Sequence, residues 1–245
     1  SQLVEDGRIQ MGIQSEEVNW LKNEEENVIG FVQQGQLWSF DFGQNRLSLV
    51  YGFADGDDGR GTYDAHDFRI LSVEDSGSMD FLVYGYMNRG RYEGMSGVLL
   101  CRYDALLNTV EEQFFLPSDH PYQAVKEELG ALAAENANGT AWLSYGGQIL
   151  QINLADCSVQ VLEENVSQDD LKISGNGALA AWTAAEGTAI SLLDVQSGRI
   201  REIRAESGEV LQALGFMEED FIYGTAYASD IVTNLAGEET IPMYR

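Results

Sequence analysis

The strongest constraint on the fold is a short pattern that returns four times along the chain. LWSFD at 37–41, LCRYD at 100–104, ILQIN at 149–153 and ISLLD at 190–194 each set an aliphatic residue four positions before an Asp or Asn, with an aromatic or aliphatic residue directly before it. Four residues beyond that Asp or Asn stand Asn45, Asn108, Cys157 and Gly198, and two further on the apolar Leu47, Val110, Val159 and Ile200. Asp and Asn side chains close turns on their own backbone, and Asn and Gly tolerate positive φ, so each unit reads as strand, tight turn, strand. Cys157 is the one turn residue of the wrong type.

Each unit is preceded by another pair of candidate strands: 27–33; 68–73 with 81–86; 131–134 with 141–145; and 171–174 with 179–183. A further partial unit follows at 210–217 and 221–227, where DFIYG at 220–224 echoes DFLVYG at 80–85. Four short strands recurring every roughly 40–60 residues are the period of propeller blades. The expectation is therefore an all-β chain, a β-propeller of four-stranded antiparallel blades with about five blade units, forming a single domain over 1–245. The acidic stretch 16–26 and the segment 123–132 show no clean apolar stripe, so no more than a turn of helix is expected in either.

The chain has 245 residues, with 40 acidic side chains against 14 basic ones and a formal charge of -26. That sign argues against nucleic acid or an anionic bilayer as the main partner, because phosphates would be repelled. No apolar run reaches the roughly 18 residues of a membrane-spanning helix, so membrane association is expected only through an anchor outside this sequence. The chain opens on Ser1 and closes on Met243, Tyr244 and Arg245 in what reads as the start of a strand, which suggests part of a longer propeller. Residues 8–13 then read either as an outer strand completing the last blade or as a remnant of another. Cys101 and Cys157 read as equivalent inner strands of different blades and belong to no CxxC pair, so two buried thiols are expected rather than a disulfide or a zinc site.

Blade four, ISGNGALAAW at 173–182 followed by ISLLDVQSGRI at 190–200, resembles the repeat of the Tol-associated periplasmic propeller and of the propeller domains of prolyl-oligopeptidase-type peptidases. Gly175 and Asn176 stand where that family usually has Pro and Asp. The resemblance implies architecture and carries no activity. YGYMNRGRYEG at 84–94 resembles a segment of uncharacterised extracytoplasmic proteins of Gram-positive bacteria, which implies a surface or membrane-anchored parent.

Two segments hold candidate ligand-binding residues. In the acidic loop 52–69, Asp55, Asp57 and Asp58 followed by Gly59 miss the spacing of a calcium loop, so no metal is expected. Within it Asp64, His66, Asp67 and Arg69 place a titrating imidazole between carboxylates beside a guanidinium, able to polarise a water or fix a ligand, or else to tie the turn to its neighbour. The other histidine, His120, stands between prolines in a rigid connector. Asn88, Arg89, Arg91, Tyr92 and Glu93 cluster in the longest hairpin loop, where two arginines suit an anion or carboxylate, or pair with the acidic surface.

No nucleophile elbow, zinc-protease helix or phosphate-binding loop occurs, so no catalytic residue and no cofactor is expected. The reading is a non-catalytic extracytoplasmic β-propeller, a platform for a protein or glycan partner or a sensor module. The alternative is a propeller-type carbohydrate-active hydrolase or lyase using acidic channel residues together with His66.

Overall fold

In the computed structural model, residues 4–5, 8–9, 19–52, 66–218, 220–233, 239–240 and 242 are described. The chain divides into two compact units, Ser1–Lys126 and Glu127–Arg245. In the first, β1 (Val4–Glu5) and β2 (Arg8–Ile9) pair with each other, so the described part of 8–13 belongs to a small hairpin. Blade one then follows as β3 (Trp20–Lys22), β4 (Val28–Gln33), β5 (Gln36–Asp41) and β6 (Arg46–Gly52), and blade two as β7 (His66–Val73), β8 (Met79–Tyr86), β9 (Ser96–Asp104) and β10 (Thr109–Pro117).

After α1 (Tyr122–Ala131), the second unit holds blade three, β11 (Ala133–Asn136), β12 (Thr140–Tyr145), β13 (Gln148–Asn153) and β14 (Ser158–Glu164). Blade four is β15 (Leu171–Ile173), β16 (Leu179–Thr183), β17 (Ala189–Asp194) and β18 (Arg199–Arg204). A fifth unit supplies β19 (Glu209–Met217) paired with β20 (Asp220–Tyr227), and a short pair β21 (Val232–Thr233) and β22 (Glu239–Thr240) comes last. Each of the four-stranded sheets is an antiparallel meander in chain order, as the repeat predicts: these are β-propeller blades.

The recurrent turn is built from local chemistry. Asp41, Asp104, Asn153 and Asp194 pair in register with Arg46, Thr109, Ser158 and Arg199, and the residue before each partner has positive φ: Asn45 at 49°, Asn108 at 52°, Cys157 at 57° and Gly198 at 67°. The Asp or Asn Oδ1 accepts a turn N–H in all four, from Gln44 at 2.8 Å, from both Leu106 and Leu107 at 2.8 Å, from Ala155 at 2.9 Å and from Ser197 at 3.0 Å.

Strand alternation sends apolar side chains into the spaces between sheets. Leu37, Tyr51, Phe68, Phe81, Leu99 and Tyr103 form the main core of the first unit; Trp142, Ile149, Trp182 and Leu193 anchor that of the second. Each large buried side chain contributes about 1.5–3 kcal/mol by leaving water. β8 is buried from Met79 to Gly85, on both faces, whereas the outer strand β18 is exposed at five of its six residues.

Two expectations need correction. The segment 123–132 forms a helix of 10 residues rather than a turn, because Val125, Leu129 and Leu132 recur on one side and are buried, and Pro121 accepts its first N–H bonds from Ala124 and Val125. The described part of 16–26 contains β3 instead. The cysteines are not equivalent either: Cys101 is buried in β9, while Cys157 is half-buried in the turn after β13, and neither is in a disulfide. Burial pushes the Cys101 thiol well above its ordinary range, with the charge of Glu112 adding and that of Arg89 opposing. No helix among the described residues is long and apolar enough to cross a membrane.

Candidate functional site

Asp64 lies outside the described residues, as do Asp55, Asp57, Asp58 and Gly59. The rest of that cluster opens β7, and there the sheet separates what the sequence placed side by side. His66 and Asp67 are consecutive strand residues and project to opposite faces. His66 Nε2 lies 3.4 Å from the Gly35 carbonyl, and its ring meets Phe68 edge-on at 6.1 Å. Asp67 Oδ1 accepts the Phe68 N–H at 2.8 Å, its Oδ2 lies 3.6 Å from Lys126 Nζ, and it receives a hydrogen bond from the Tyr84 hydroxyl.

Tyr84 stacks on Tyr122 at 5.9 Å, docking the first turn of α1 on the blade. Burial and the adjacent Asp67 charge push the Tyr84 hydroxyl far above its ordinary range and that of Tyr122 up to about 12. Both therefore remain hydrogen-bond donors at neutral pH rather than bases. Arg69 shares the Asp67 face by alternation, and its Nε is buried without a hydrogen bond among the described residues. His120 sits in the exposed connector before α1, 3.6 Å from Asp119.

The hairpin loop 87–95 folds down on β10. Met87 N–H bonds Met95, Gly94 N–H bonds Met87, and Tyr92 stacks on Phe115 at 4.4 Å. Gly90, at φ 84°, lies directly over Glu112, where any side chain would meet the carboxylate at 2.0 Å; Glu112 Oε2 accepts the Arg91 N–H at 3.0 Å. Arg89, itself exposed, reaches across to blade one, donating to the Gly52 carbonyl at 2.5 Å and covering the Tyr51 ring at 4.9 Å. Burial and Cys101 push the Tyr51 hydroxyl up to about 12 against the pull of Arg89. Asn88 Oδ1 is buried with no bond among the described residues, while Arg91 and Glu93 are exposed. The two arginines thus do not converge: one fastens the blades and the other faces solvent.

Sequence reasoning missed two features. Asp80, its side chain only 5% exposed, bonds Arg102 at 2.6 Å, and the same guanidinium reaches Glu74 at 2.5 Å. Burial raises the Asp80 carboxyl, with Arg102 opposing and Glu74 adding; the bond to Glu74 is the first cause holding Arg102 up. The Asp80 and Arg102 positions are direct cross-strand partners, so hairpin register was the available signal.

The second is a recess of about 610 Å³ in the second unit. Its polar wall is Asn165, Asp170, Thr183, Glu186 and Gln212, over an apolar floor that includes Leu211. These come from the connection into blade four, from the end of β16 and the connection after it, and from β19, with Ala228 and Ile231 beyond β20 closing the rim. Asn165 and Glu186 hold positive φ of 58° and 61°, a costly conformation for residues with a side chain. Gly187, at φ 67°, packs so tightly on β19 that a Cβ would stand 2.9 Å from the Leu211 carbonyl. The Ala213 N–H donates to Thr183 Oγ1 at 3.0 Å, tying β16 to β19. A wall of two carboxylates, two amides and a hydroxyl, with no cationic group among the described lining residues, can receive hydrogen bonds from a hydroxyl-rich ligand.

No protein-family profile matches the chain, and no curated protein matches it in sequence. Among solved structures it is similar to an oligogalacturonate lyase in complex with manganese, at 9% identity and a TM-score of 0.47 over 91% of this chain and 63% of that one. It is similar to dipeptidyl peptidase 4 of Porphyromonas gingivalis at 10% identity and a TM-score of 0.47, over 91% of this chain and 38% of that one. TolB of Acinetobacter baumannii aligns at 12% identity and a TM-score of 0.40, over 85% of this chain and 51% of that one. The chain therefore spans less than two thirds of each. The strand pairing described above, rather than these likenesses, defines the blades.

Proposed function

We propose that the chain is a non-catalytic binding platform whose ligand seat is the recess in the second unit, and that the ligand is a glycan. The observation that carries this reading is the recess itself: strands and connections of successive blade units bring amide, hydroxyl and carboxylate groups to one lining, and the Ala213–Thr183 hydrogen bond ties two of those strands together. A sugar offers many hydroxyl donors and little net charge, which suits a wall of acceptors in a chain of charge -26. The non-catalytic part is supported by the placement of His66 and Arg89, whose polar atoms bond to the Gly35 and Gly52 carbonyls within the scaffold. The setting we propose is extracytoplasmic, as part of a surface platform or sensor; the resemblance of 84–94 supports it, and antibody access to the chain on intact cells tests it.

The test is calorimetry with a panel of neutral oligosaccharides, followed by mass spectrometry of the same mixtures after prolonged incubation. Binding by the native chain, weakened about tenfold in Gln212→Ala and in Glu186→Gln and with every sugar recovered intact, is the expected result; a tenfold loss equals about 1.4 kcal/mol, one hydrogen bond. Sugars that come back shortened would replace this reading with the hydrolase or lyase. Affinity unchanged in both variants would move the seat elsewhere.

A further inference from the structure

In each of the four turns between third and fourth strands an Asx oxygen accepts a turn N–H and a left-handed residue stands four positions on, so the tip side chains are not dictated by the turn. Their two tip positions are Gly43 and Gln44 in blade one, Leu106 and Leu107 in blade two, Ala155 and Asp156 in blade three, and Gln196 and Ser197 in blade four. Three tips are small or polar. The blade-two tip exposes Leu106 at 92% and Leu107 at 67%.

Neither leucine is needed to make the turn. Asp104 Oδ1 accepts both their N–H groups, Asn108 supplies the left-handed residue, and the Tyr103 hydroxyl donates to Asn108 Oδ1 at 2.9 Å. Inward packing is already met by Ala105, which is buried beside Gly77 and whose N–H donates to Ser78 Oγ at 3.2 Å. The turn therefore holds two large apolar side chains out in water on a backbone fixed by side-chain bonds. Burying both would remove their apolar surface from water, and a turn ordered in advance loses little entropy on docking.

The surroundings define what kind of surface fits. Glu74, Asp75, Asp104 and Glu111 stand at the same end of blade two, whereas the cation there, Arg102, is already bonded to Glu74 and Asp80. An apolar tip in an acidic collar is matched by an apolar pocket with a basic rim. An anionic bilayer offers the wrong sign, and two leucines are too small an anchor for a neutral one.

We infer that the β9–β10 tip is a docking anchor for a partner protein, with Leu106 and Leu107 entering an apolar pocket rimmed by Lys or Arg. The probe is a phage-displayed library of random peptides, panned on the native chain and on a variant carrying Leu106→Gln with Leu107→Ser. That variant copies the blade-four tip, a sequence this turn already accommodates, and an unchanged circular-dichroism melt verifies it. The expected result is enrichment of peptides combining large apolar with basic residues, binding about tenfold or more weakly to the variant and weakening with salt. Peptides that bind both proteins equally overturn the inference, as do selected peptides without basic residues, affinity indifferent to salt, or native chain that binds phosphatidylcholine vesicles through the two leucines.

Discussion

The turns between third and fourth strands and the connections between second and third strands lie at opposite ends of each blade, and they follow different physics. The former are alike in all four blades: one Asx oxygen, one left-handed residue, one register. The latter fall into three kinds: blades one and three share a two-residue turn with both residues left-handed, and blades two and four each have a connection of their own. They are Gln34 with Gly35 in blade one, the folded loop 87–95 in blade two, Gly146 with Gly147 in blade three and the 3-10 turn Ala185–Gly187 in blade four. Where neighbours within five residues satisfy the backbone, geometry repeats; the longer connections of blades two and four lean on Glu112 and on Leu211, and each is different. The recess belongs to the variable end, and the docking tip is where the uniform end departs from its small or polar tip residues.

The sharpest way to break this comparison uses two glycines with the same φ of 67°, Gly187 at the variable end and Gly198 at the uniform end. Gly198→Ala meets only Asn136 Nδ2 at 3.4 Å and Trp142 at 3.5 Å, so it should cost about 1–2 kcal/mol, the left-handed penalty alone. Gly187→Ala meets the Leu211 carbonyl at 2.9 Å as well, and should cost about 3 kcal/mol in urea denaturation while loosening the recess. Equal losses would mean that tertiary contact does not set the variable end.

A smaller effect of opposite sign is expected at Cys157. It occupies the left-handed position that Asn and Gly fill elsewhere, so Cys157→Asn should raise the unfolding free energy by about 0.5–1 kcal/mol, read as a higher urea midpoint. A loss on substitution would show that the thiol has a role that the turn geometry does not require.

The smallest effect is a matter of order rather than size. Asp194, in a uniform turn, has its carboxyl held below the ordinary 3.8 by the Ser197 N–H, whereas burial raises that of Asp80 in β8 above it. A depressed folded value gives Asp194 a contribution present above the ordinary carboxylate range and lost as pH falls below it. A raised value gives Asp80 the reverse: its contribution is complete at acid pH and is lost as pH rises through its folded value. Carboxyl NMR titration should find Asp194 deprotonating first as pH increases; the opposite order would reject both environments.

Much of the fold was legible because blade strands and their closing turns are local. Strand 179–183 was read to the residue, and Cys157 was placed at a turn by alignment with Asn45 and Asn108 although its type argued against it. Helix α1 was legible only weakly: Val125, Leu129 and Leu132 stand at helical spacing, but the stripe is one residue wide and the helix is only 10 residues long. Residues of the candidate site were chosen for being chemically unusual, and the structure redistributed them. His66 and Asp67 diverged across the pleat, and Arg89 turned to a carbonyl 37 residues away.

By itself the sequence determined the blade repeat, its register and its left-handed turn residues, because an Asx oxygen and an alternating apolar strand act over a few residues. Only the tertiary structure decided the recess of Asn165, Asp170, Thr183, Glu186 and Gln212, the Asp80–Arg102–Glu74 cluster and the exposure of Leu106. Those depend on which strands become neighbours, and no pattern within one strand encodes the chemistry of another that packs against it.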